Sequence, residues 1–240
     1  MAPRSLKGSV ALVTGASRGI GAAVALRLAR EGCDVALLAR SASSLEELAT
    51  SCAAHGVRAL AVPCDVLEPD SIAGAVERVV AELGGLGILV NNAGIYASGL
   101  AHEADMEAFD QVIDVNVKAL MRLTHFSLPH LLRAEPAAVI NIASVAGKMT
   151  FRGGGAYCAS KHAVLGFTGS VFEDVREQGV KVCAICPGFV NTSMVADRGL
   201  DMDKMIQPDD IAEAVVFVAS FADTGCPTEI VVRPQRSPYA

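Results

Sequence analysis

Short apolar runs alternate with longer amphipathic stretches along the whole chain, and this alternation constrains the fold more than any other feature. Such runs are typical of strands buried on both faces of a parallel sheet, and the stretches between them predict the covering helices. The predicted strands are 9–14, 34–39, 57–62, 86–91, 137–144, 180–186 and 228–232. The predicted helices are 20–31, 43–54, 69–83, 106–133, 157–177 and 208–222. Because no linker divides the chain, we predict one doubly wound α/β domain over residues 1–240, with a mostly parallel seven-stranded sheet and helices on both faces.

Charge and hydropathy narrow the classes of partner. The chain carries a net charge of −6, and binding to nucleic acid requires a basic face. No apolar run approaches the ~20 residues of a membrane-spanning helix, and the N-terminal residues lack the apolar segment of a signal peptide. We therefore expect a cytoplasmic protein that binds neither nucleic acid nor a membrane.

The seven cysteines are an odd number scattered through apolar segments, which favours buried free thiols over a disulfide framework. Cys183 and Cys186 form a C-x-x-C pattern, but within a predicted strand an offset of three directs the two thiols to opposite faces. The histidines show no spacing typical of metal ligands. We expect no metal site.

The first predicted strand runs into the glycine-rich segment TGASRGIG, residues 14–21, and a helix follows at once. Gly15, Gly19 and Gly21 permit a tight turn and a close approach of the backbone to a pyrophosphate at the positive end of the helix. Three glycines alone are equally compatible with an ordinary strand-to-helix turn. The surrounding β-α-β pattern favours dinucleotide binding.

The end of the second strand bears on the choice between NAD and NADP. An acid usually stands there to hold the ribose diol of NAD, but this chain has Ala39 and Arg40, and the next carboxylate is Glu46. Arg40 suits a 2′-phosphate, and Arg18 in the glycine-rich loop supplies a second positive charge. Either arginine alone is compatible with a solvated surface residue. Together, without a nearby acid, they predict NADP(H).

Further polar residues stand at strand ends or in a helical run. Tyr157 lies four residues before Lys161, which places both on one face of the predicted helix. VNNAG (90–94) ends the fourth strand, Asn116 lies within a helical run, and Ser144 ends the fifth strand. Tyr157 and Lys161 have an alternative interpretation as a surface pair. The alternatives are a turn former for Ser144 and a helix-surface amide for Asn116.

Taken in order, these motifs resemble the short-chain dehydrogenase/reductase family over nearly the whole chain. They comprise the glycine-rich loop, Asp65 after the third strand, the Asn91–Gly94 segment, Asn116, Ser144, the Y-x-x-x-K pair and PGFVNT (187–192). The family has a Rossmann fold and transfers hydride between a nicotinamide cofactor and a carbonyl or alcohol. The resemblance implies that the cofactor contacts Gly15, Ser17, Arg18, Gly19, Ile20, Gly21, Arg40, Asp65, Val66, Asn92, Ala93, Gly94, Tyr157, Lys161, Pro187, Gly188, Val190 and Thr192.

The resemblance also assigns catalytic roles. Tyr157 is the general acid, and because the reference pKa of tyrosine is ~10, a nearby cation is needed to stabilise its phenolate at neutral pH. Lys161 supplies that charge and hydrogen-bonds the nicotinamide ribose. Ser144 holds the substrate oxygen, and Asn116 anchors a water that relays protons to the lysine. Asp65 meets the adenine, although an aspartate before a helix is also a common cap.

We therefore predict an NADP(H)-dependent oxidoreductase that reduces a ketone or aldehyde to an alcohol. A 3-ketoacyl carrier-protein reductase, a catalytically silent dinucleotide-binding regulator, and an epimerase or dehydratase are alternatives. The segment after Pro187 should cover a small-molecule substrate, with Phe189 and Met194 in contact with it alongside Ser144 and Tyr157. The C-terminus, CPTEIVVRPQRSPYA, departs from the ketoacyl reductases, whose chains usually end in a glycine-rich segment.

A homo-oligomer, a tetramer or a dimer, is expected from the helix that carries Tyr157. The apolar residues of this helix cover more of its circumference than one sheet contact requires, and the family resemblance implies paired long helices. These apolar residues are Ala163, Val164, Leu165, Phe167, Val171 and Phe172.

Overall fold

A computed structural model describes residues 3–195 and 199–239. Its strands form one parallel seven-stranded sheet in the order β3-β2-β1-β4-β5-β6-β7. The strands are β1 (Val10–Thr14), β2 (Asp34–Ala39), β3 (Ala59–Pro63), β4 (Ile88–Asn91), β5 (Ala138–Ile142), β6 (Lys181–Pro187) and β7 (Glu229–Val232). The predicted doubly wound α/β fold is confirmed, and each predicted strand end lies within two residues of the observed end.

Helices cover both faces of the sheet. They are α1 (Gly19–Arg30), α2 (Ala42–Ala53), α3 (Pro69–Leu83), α4 (Met106–Ile113), α5 (Leu120–Leu131), α6 (Gly155–Val175) and α7 (Pro208–Ala219). Helices α1, α2 and α7 pack on one face, and α3, α5 and α6 pack on the other. Successive residues of β1 point to opposite faces of the sheet. Ala11 and Val13 pack in the core under α1, α2 and α7, whereas Val10 and Leu12 pack in the core under α3, α5 and α6.

Helix α3 shows how local sequence sets these elements. Pro69 stands in its first turn, where no backbone N–H is needed, and Gly84 ends it in the left-handed conformation at φ 81°. Between these ends, Ile72, Val76 and Val79 recur at helical spacing and are buried against the sheet. Helix bounds and packing face therefore follow from the same stretch of sequence.

The long helix predicted over 106–133 is interrupted in the structure. Helix α4 ends at Ile113, a π-helical segment follows over Asp114–Ala119, and α5 begins at Leu120. Within the wider turn, the Asn116 Oδ1 accepts a hydrogen bond from the backbone N of Ile95 at 2.8 Å, and its Nδ2 donates to the Ile95 carbonyl at 2.9 Å. Such π-helical turns occur frequently at functional sites. The departure from the prediction is thus coupled to a contact with the loop after β4.

The cysteines lie as expected. Cys183 joins the cluster beneath α1 and α7, whereas Cys186 packs beside Val164 of α6, so the C-x-x-C thiols occupy opposite faces of β6. All seven cysteines are free, and six of them are buried. Within residues 3–195 and 199–239, no group of metal-ligating side chains could hold an ion. In the same ranges, no helix has the length and apolarity to cross a membrane.

Candidate active site

The glycine-rich loop occupies the space between β1 and α1. Gly15 and Gly19 adopt left-handed φ values of 63° and 58°, which residues with a side chain rarely adopt. Gly21 is required for a different reason, since a Cβ there would lie 2.3 Å from the carbonyl oxygen of Gly15. The loop is tied to the next strand by the Thr14 hydroxyl, which accepts hydrogen bonds from the backbone N of Asn92 and of Ala93, both at 2.9 Å.

A cleft of about 1450 Å³ opens along the carboxyl ends of the strands. At this edge, between β1 and β4, the order in which strands are added to the sheet changes direction. This point is the usual ligand site of doubly wound sheets. Nearly all residues predicted for the cofactor line it: Gly15, Ser17, Arg18, Gly19, Ile20, Arg40, Asp65, Val66, Asn92, Ala93, Gly94, Tyr157, Lys161, Pro187, Gly188, Val190 and Thr192. Gly21 is not part of the lining and packs behind the loop.

Tyr157 and Lys161 occupy the first two turns of α6, and both line the cleft. The Lys161 Nζ lies 5.8 Å from the centroid of the Tyr157 ring. Lys161 is only 6% exposed, and its burial lowers the pKa of the ammonium to about 8. The spacing of four residues therefore places a phenol beside a cation, as the sequence predicted.

Asn116 does not line the cleft and is only 1% exposed. Besides its two bonds to Ile95, its Nδ2 donates to the Ser160 Oγ at 3.1 Å, and that hydroxyl donates to the Tyr157 carbonyl at 2.7 Å. The amide thus connects the loop after β4 to the first turn of α6. The water relay expected of Asn116 stays a prediction.

Ser144 lies two residues beyond the end of β5, with its side chain at the cleft. Its Oγ accepts a hydrogen bond from the Ala146 backbone N at 3.1 Å and lies 3.5 Å from the Pro187 carbonyl oxygen. The long second contact leaves the hydroxyl hydrogen only weakly engaged. Ser144 can therefore donate to an oxygen placed in the cleft.

The other end of the cleft carries Arg18 and Arg40, which are both exposed. Within the described ranges of the chain, neither arginine takes part in an ion pair. Asp65 lines the same region, and its carboxylate accepts a hydrogen bond from the Leu67 backbone N at 3.0 Å. Part of that carboxylate therefore serves the turn that precedes α3, but the N-cap of α3 is Glu68, so Asp65 is not the cap of this helix.

Phe189 and Met194 line the cleft on the segment that follows β6. The start and the end of this segment are joined by a bridge between Val190 and Ile206. Residues 196–198 of the predicted flap lie outside the described residues. Met194 is 44% exposed. Its side chain is therefore available to a ligand.

The family model for short chain dehydrogenases matches residues 9–203. The chain belongs to the short chain dehydrogenase family. Among its relatives, the 3-oxoacyl-[acyl-carrier-protein] reductase FabG of Pseudomonas aeruginosa is 38% identical over 227 residues, which cover 90% of this chain and 92% of the reductase. The family resemblance drawn from the motifs is therefore confirmed.

Solved structures of this family share the fold closely. A short chain dehydrogenase from Burkholderia cenocepacia in complex with NADP is 33% identical with a TM-score of 0.89, and the match covers 96% of this chain and 98% of that one. An NAD⁺-bound xylitol dehydrogenase is 25% identical with a TM-score of 0.88, and the match covers 95% of this chain and 99% of that one. These two related structures thus hold different nicotinamide cofactors on closely similar folds.

This short chain dehydrogenase has cleft residues that sequence reasoning missed. Tyr96 packs edge-to-face on Tyr157, with ring centroids 5.2 Å apart and an interplanar angle of 71°. Arg233, Arg236 and Tyr239 of the C-terminal tail also line the cleft. Tyr96 follows the Asn91–Gly94 motif by two residues, which was an available signal. The sequence of the C-terminal tail contains no motif that predicts a role in the cleft. The tail reaches the cleft only because of the place where β7 joins the sheet.

Proposed function

We propose that this short chain dehydrogenase is an NADP(H)-dependent oxidoreductase that reduces a ketone or aldehyde to an alcohol by reversible hydride transfer. The observation that carries the proposal is one cleft lined by Ser144, Tyr157 and Lys161 and also by Arg18 and Arg40. Arg40 follows β2 and Ser144 follows β5, and three strand spacings separate these strands. At ~4.8 Å per spacing the two ends lie roughly 14 Å apart across the sheet. An extended dinucleotide suits such a distance.

The described residues fit the cofactor at its pyrophosphate. The backbone turn of Gly15 and Gly19 lies at the N-terminus of α1, whose peptide dipoles favour an anion. Gly21 allows this turn to pack on the helix, because any side chain there would meet the Gly15 carbonyl. These residues would hold the pyrophosphate, Asp65 and Val66 would contact the adenine, and Asn92 to Gly94 and Pro187 to Thr192 would line the rest. The bound cofactor supplies the hydride.

The preference for NADP(H) is supported by this chain's own residues at the end of β2. Ala39, Arg40 and Ser41 line the cleft there, and no carboxylate stands among them to repel a phosphate. A guanidinium binds phosphate through parallel charged hydrogen bonds. The related Burkholderia structure holds NADP. Because a related xylitol dehydrogenase holds NAD⁺, the arginines are the stronger argument.

The catalytic roles follow from the arrangement at the other end of the cleft. The Ser144 hydroxyl donates a hydrogen bond to the substrate carbonyl oxygen, and Tyr157 gives that oxygen its proton as negative charge develops. The buried Lys161 cation stabilises the phenolate that remains. Asn116, through Ser160 and Ile95, fixes the start of α6 relative to the loop after β4. Protonation of the phenolate from solvent then restores the acid.

A second candidate function is the reduction of 3-oxoacyl thioesters, because 3-oxoacyl-[acyl-carrier-protein] reductases are among the relatives of this chain. The FabG reductase of Pseudomonas aeruginosa aligns over 90% of this chain. Against it stands the composition of residues 226–240, which contain no glycine. The deciding experiment follows NADPH oxidation with 3-oxoacyl thioesters, quinones, aldehydes, steroids and pteridines. Turnover of no carbonyl despite tight NADPH binding would instead support a catalytically silent regulator.

Two further expectations belong to this proposal. The free state of all seven cysteines is consistent with a reducing, cytoplasmic location. Apolar side chains on the exposed side of α6 support assembly into a homo-oligomer, since Leu165, Phe167 and Phe172 are only partly buried within one chain. Fractionation and a mass measurement in solution test the two expectations separately.

A further inference from the structure

The cleft has a strongly uneven charge. Within the described residues, its lining includes five basic side chains (Arg18, Arg40, Lys161, Arg233 and Arg236) and one carboxylate, Asp65. The chain as a whole carries a net charge of −6, so the basic lining is a local departure from the overall balance. Such a cleft concentrates anions.

The proposed function accounts for three of these cations and leaves two without a role. Arg18 and Arg40 face the cofactor phosphate, and Lys161 acts beside Tyr157. Arg233 and Arg236 lie in the C-terminal tail, where both are exposed. Between residues 3 and 239, excluding 196–198, neither takes part in an ion pair.

The tail that carries them is held against the segment after β6. The Gly188 backbone N donates to the Val232 carbonyl at 2.8 Å, and the Asp201 backbone N donates to the Pro238 carbonyl at 2.9 Å. Pro238 is buried. Beyond it, the Tyr239 ring meets the Phe189 ring at a centroid distance of 5.6 Å and an angle of 89°. Both arginines therefore lie between two backbone anchors.

The anchored tail lies close to the reacting end of the cleft. The Ser144 Oγ is 3.5 Å from the Pro187 carbonyl oxygen, and the next residue, Gly188, is so close to the tail that a Cβ there would lie 3.0 Å from Pro234 Cδ. A substrate whose carbonyl reaches Ser144 thus has the tail beside it. Guanidinium groups bind carboxylate and phosphate through paired, charge-assisted hydrogen bonds.

We infer that the substrate carries an anionic group, a carboxylate or a phosphate, which Arg233 and Arg236 bind while its carbonyl lies at Ser144 and Tyr157. The inference rests on the proposed carbonyl reduction and adds the substrate class. The apolar side chains of Phe189 and Met194 line the same cleft and would contact the part of the substrate between its two polar ends. The tail is then a specificity element.

The test uses substrate pairs that differ only in the anion. One pair is 4-oxopentanoate and its methyl ester, and a second is dihydroxyacetone phosphate and dihydroxyacetone. We expect wild-type kcat/KM to favour the anionic member of at least one pair by roughly 10-fold or more, the contribution typical of a charged hydrogen bond. The double variant Arg233→Gln/Arg236→Gln should lose that preference through KM and leave the neutral member unchanged. The favoured pair identifies the anion as carboxylate or phosphate.

A matched control is Arg30→Gln/Arg133→Gln, which removes two exposed charges outside the cleft and should keep the preference. A turnover-free readout is calorimetric binding of the preferred anion to NADP⁺-loaded Tyr157→Phe, in which no hydride is available, with and without the tail substitutions. Binding should weaken by a similar factor when the arginines are replaced.

Failures of the two proposals are distinguishable. Equal reduction of both members of each pair by the wild type, or an anion preference that survives in the tail variant, overturns the inference alone. A wild-type enzyme that reduces no carbonyl in either pair or in the wider panel contradicts the proposed function, and the inference falls with it.

Discussion

The Lys161 ammonium donates a hydrogen bond to the carbonyl oxygen of Ile142 at 2.9 Å. Ile142 is the last residue of β5, so the cation is fixed to the carboxyl edge of the sheet rather than left on a mobile stem. Its pKa of about 8, lowered by burial, still keeps it mostly protonated at neutral pH. The strand end thus positions the charge that stabilises the Tyr157 phenolate.

The cost of that buried charge should be measurable as a pH-dependent stability. The pKa of Lys161 is 10.5 as a free group and about 8 in the fold. Between these values the unfolded chain binds the extra proton, so the free energy of unfolding rises with pH in this window, and the cost is fully present below it. The difference corresponds to about 3 kcal/mol.

Lys161→Met, which removes the titrating group, isolates this effect in the cofactor-free protein. We expect the variant's advantage in unfolding free energy over the wild type to be largest near pH 7. It should shrink by up to about 3 kcal/mol toward pH 10.5. Urea unfolding of both proteins across this range provides the measurement. A constant difference would show that the ammonium is not desolvated.

Tyr157→Phe should remove the acid and little else. The phenylalanine ring keeps the edge-to-face contact with Tyr96, so we expect folding and NADPH binding to stay nearly intact. Turnover should fall by ~10²–10⁴-fold, the usual contribution of general acid catalysis. Urea unfolding, fluorescence titration with NADPH and single-turnover NADPH oxidation measure stability, cofactor binding and turnover in that order. If the variant kept more than about a tenth of wild-type kcat, another proton donor would be required.

Sequence patterns predicted most of the sheet because its central strands are buried on both faces. The four residues of β4, for example, are all buried, so an uninterrupted apolar run marks the strand. The Tyr157 and Lys161 pair was predictable for a similar reason, since helical spacing alone sets their common face. Local rules were sufficient wherever the relevant neighbours lie within one element.

Features that depend on distant contacts were not predictable in this way. The π-helical turn accompanies the bonds from Asn116 to Ile95, 21 residues away. Arg233 and Arg236 reach the cleft only because β7 pairs with β6 and the tail then meets Asp201. No periodicity in the tail predicts the pairing of β7 with β6 or the contact with Asp201. The tertiary arrangement, rather than local propensity, decides these positions.

Gly21→Ala should weaken cofactor binding and stability together. The added Cβ would lie 2.3 Å from the Gly15 carbonyl oxygen, and backbone rather than a flexible side chain would have to shift. We expect a loss of roughly 1–3 kcal/mol in unfolding free energy, as overpacking typically costs, and weaker NADPH binding. Gly74→Ala is the control, because Gly74 lies within α3 with no atom within 4 Å of an added Cβ. The control should be stabilised by about 0.5–1 kcal/mol.

Oligomer formation should depend on the exposed side of α6. Val164 and Val171 are buried within the chain, so they are not available to a partner subunit. The apolar residues of α6 that remain accessible are Ala163, which is exposed, and its partly buried neighbours. Light scattering at micromolar concentration should give two or four times the 24.8 kDa of one chain. Ala163→Glu should lower that mass, whereas Ala53→Glu at the exposed end of α2 should not. A monomeric wild-type mass would contradict the prediction.

Exchange of the residues at the end of β2 should reverse the cofactor preference. Arg40 is exposed at the cleft, Arg18 is exposed in the same lining, and positions 39–41 hold no carboxylate. A charge-assisted contact to phosphate contributes about 1.5–3 kcal/mol, or roughly 10-fold to 150-fold in affinity. Ala39→Asp/Arg40→Ser should therefore weaken NADPH by at least that factor, while the new carboxylate accepts the ribose hydroxyls of NADH. The measurement is kcat/KM for both cofactors with one saturating carbonyl substrate, and Arg30→Gln controls for the loss of a distant charge. Wild-type values that are equal or favour NADH would show that Arg40 is a solvated surface residue without a role in cofactor choice.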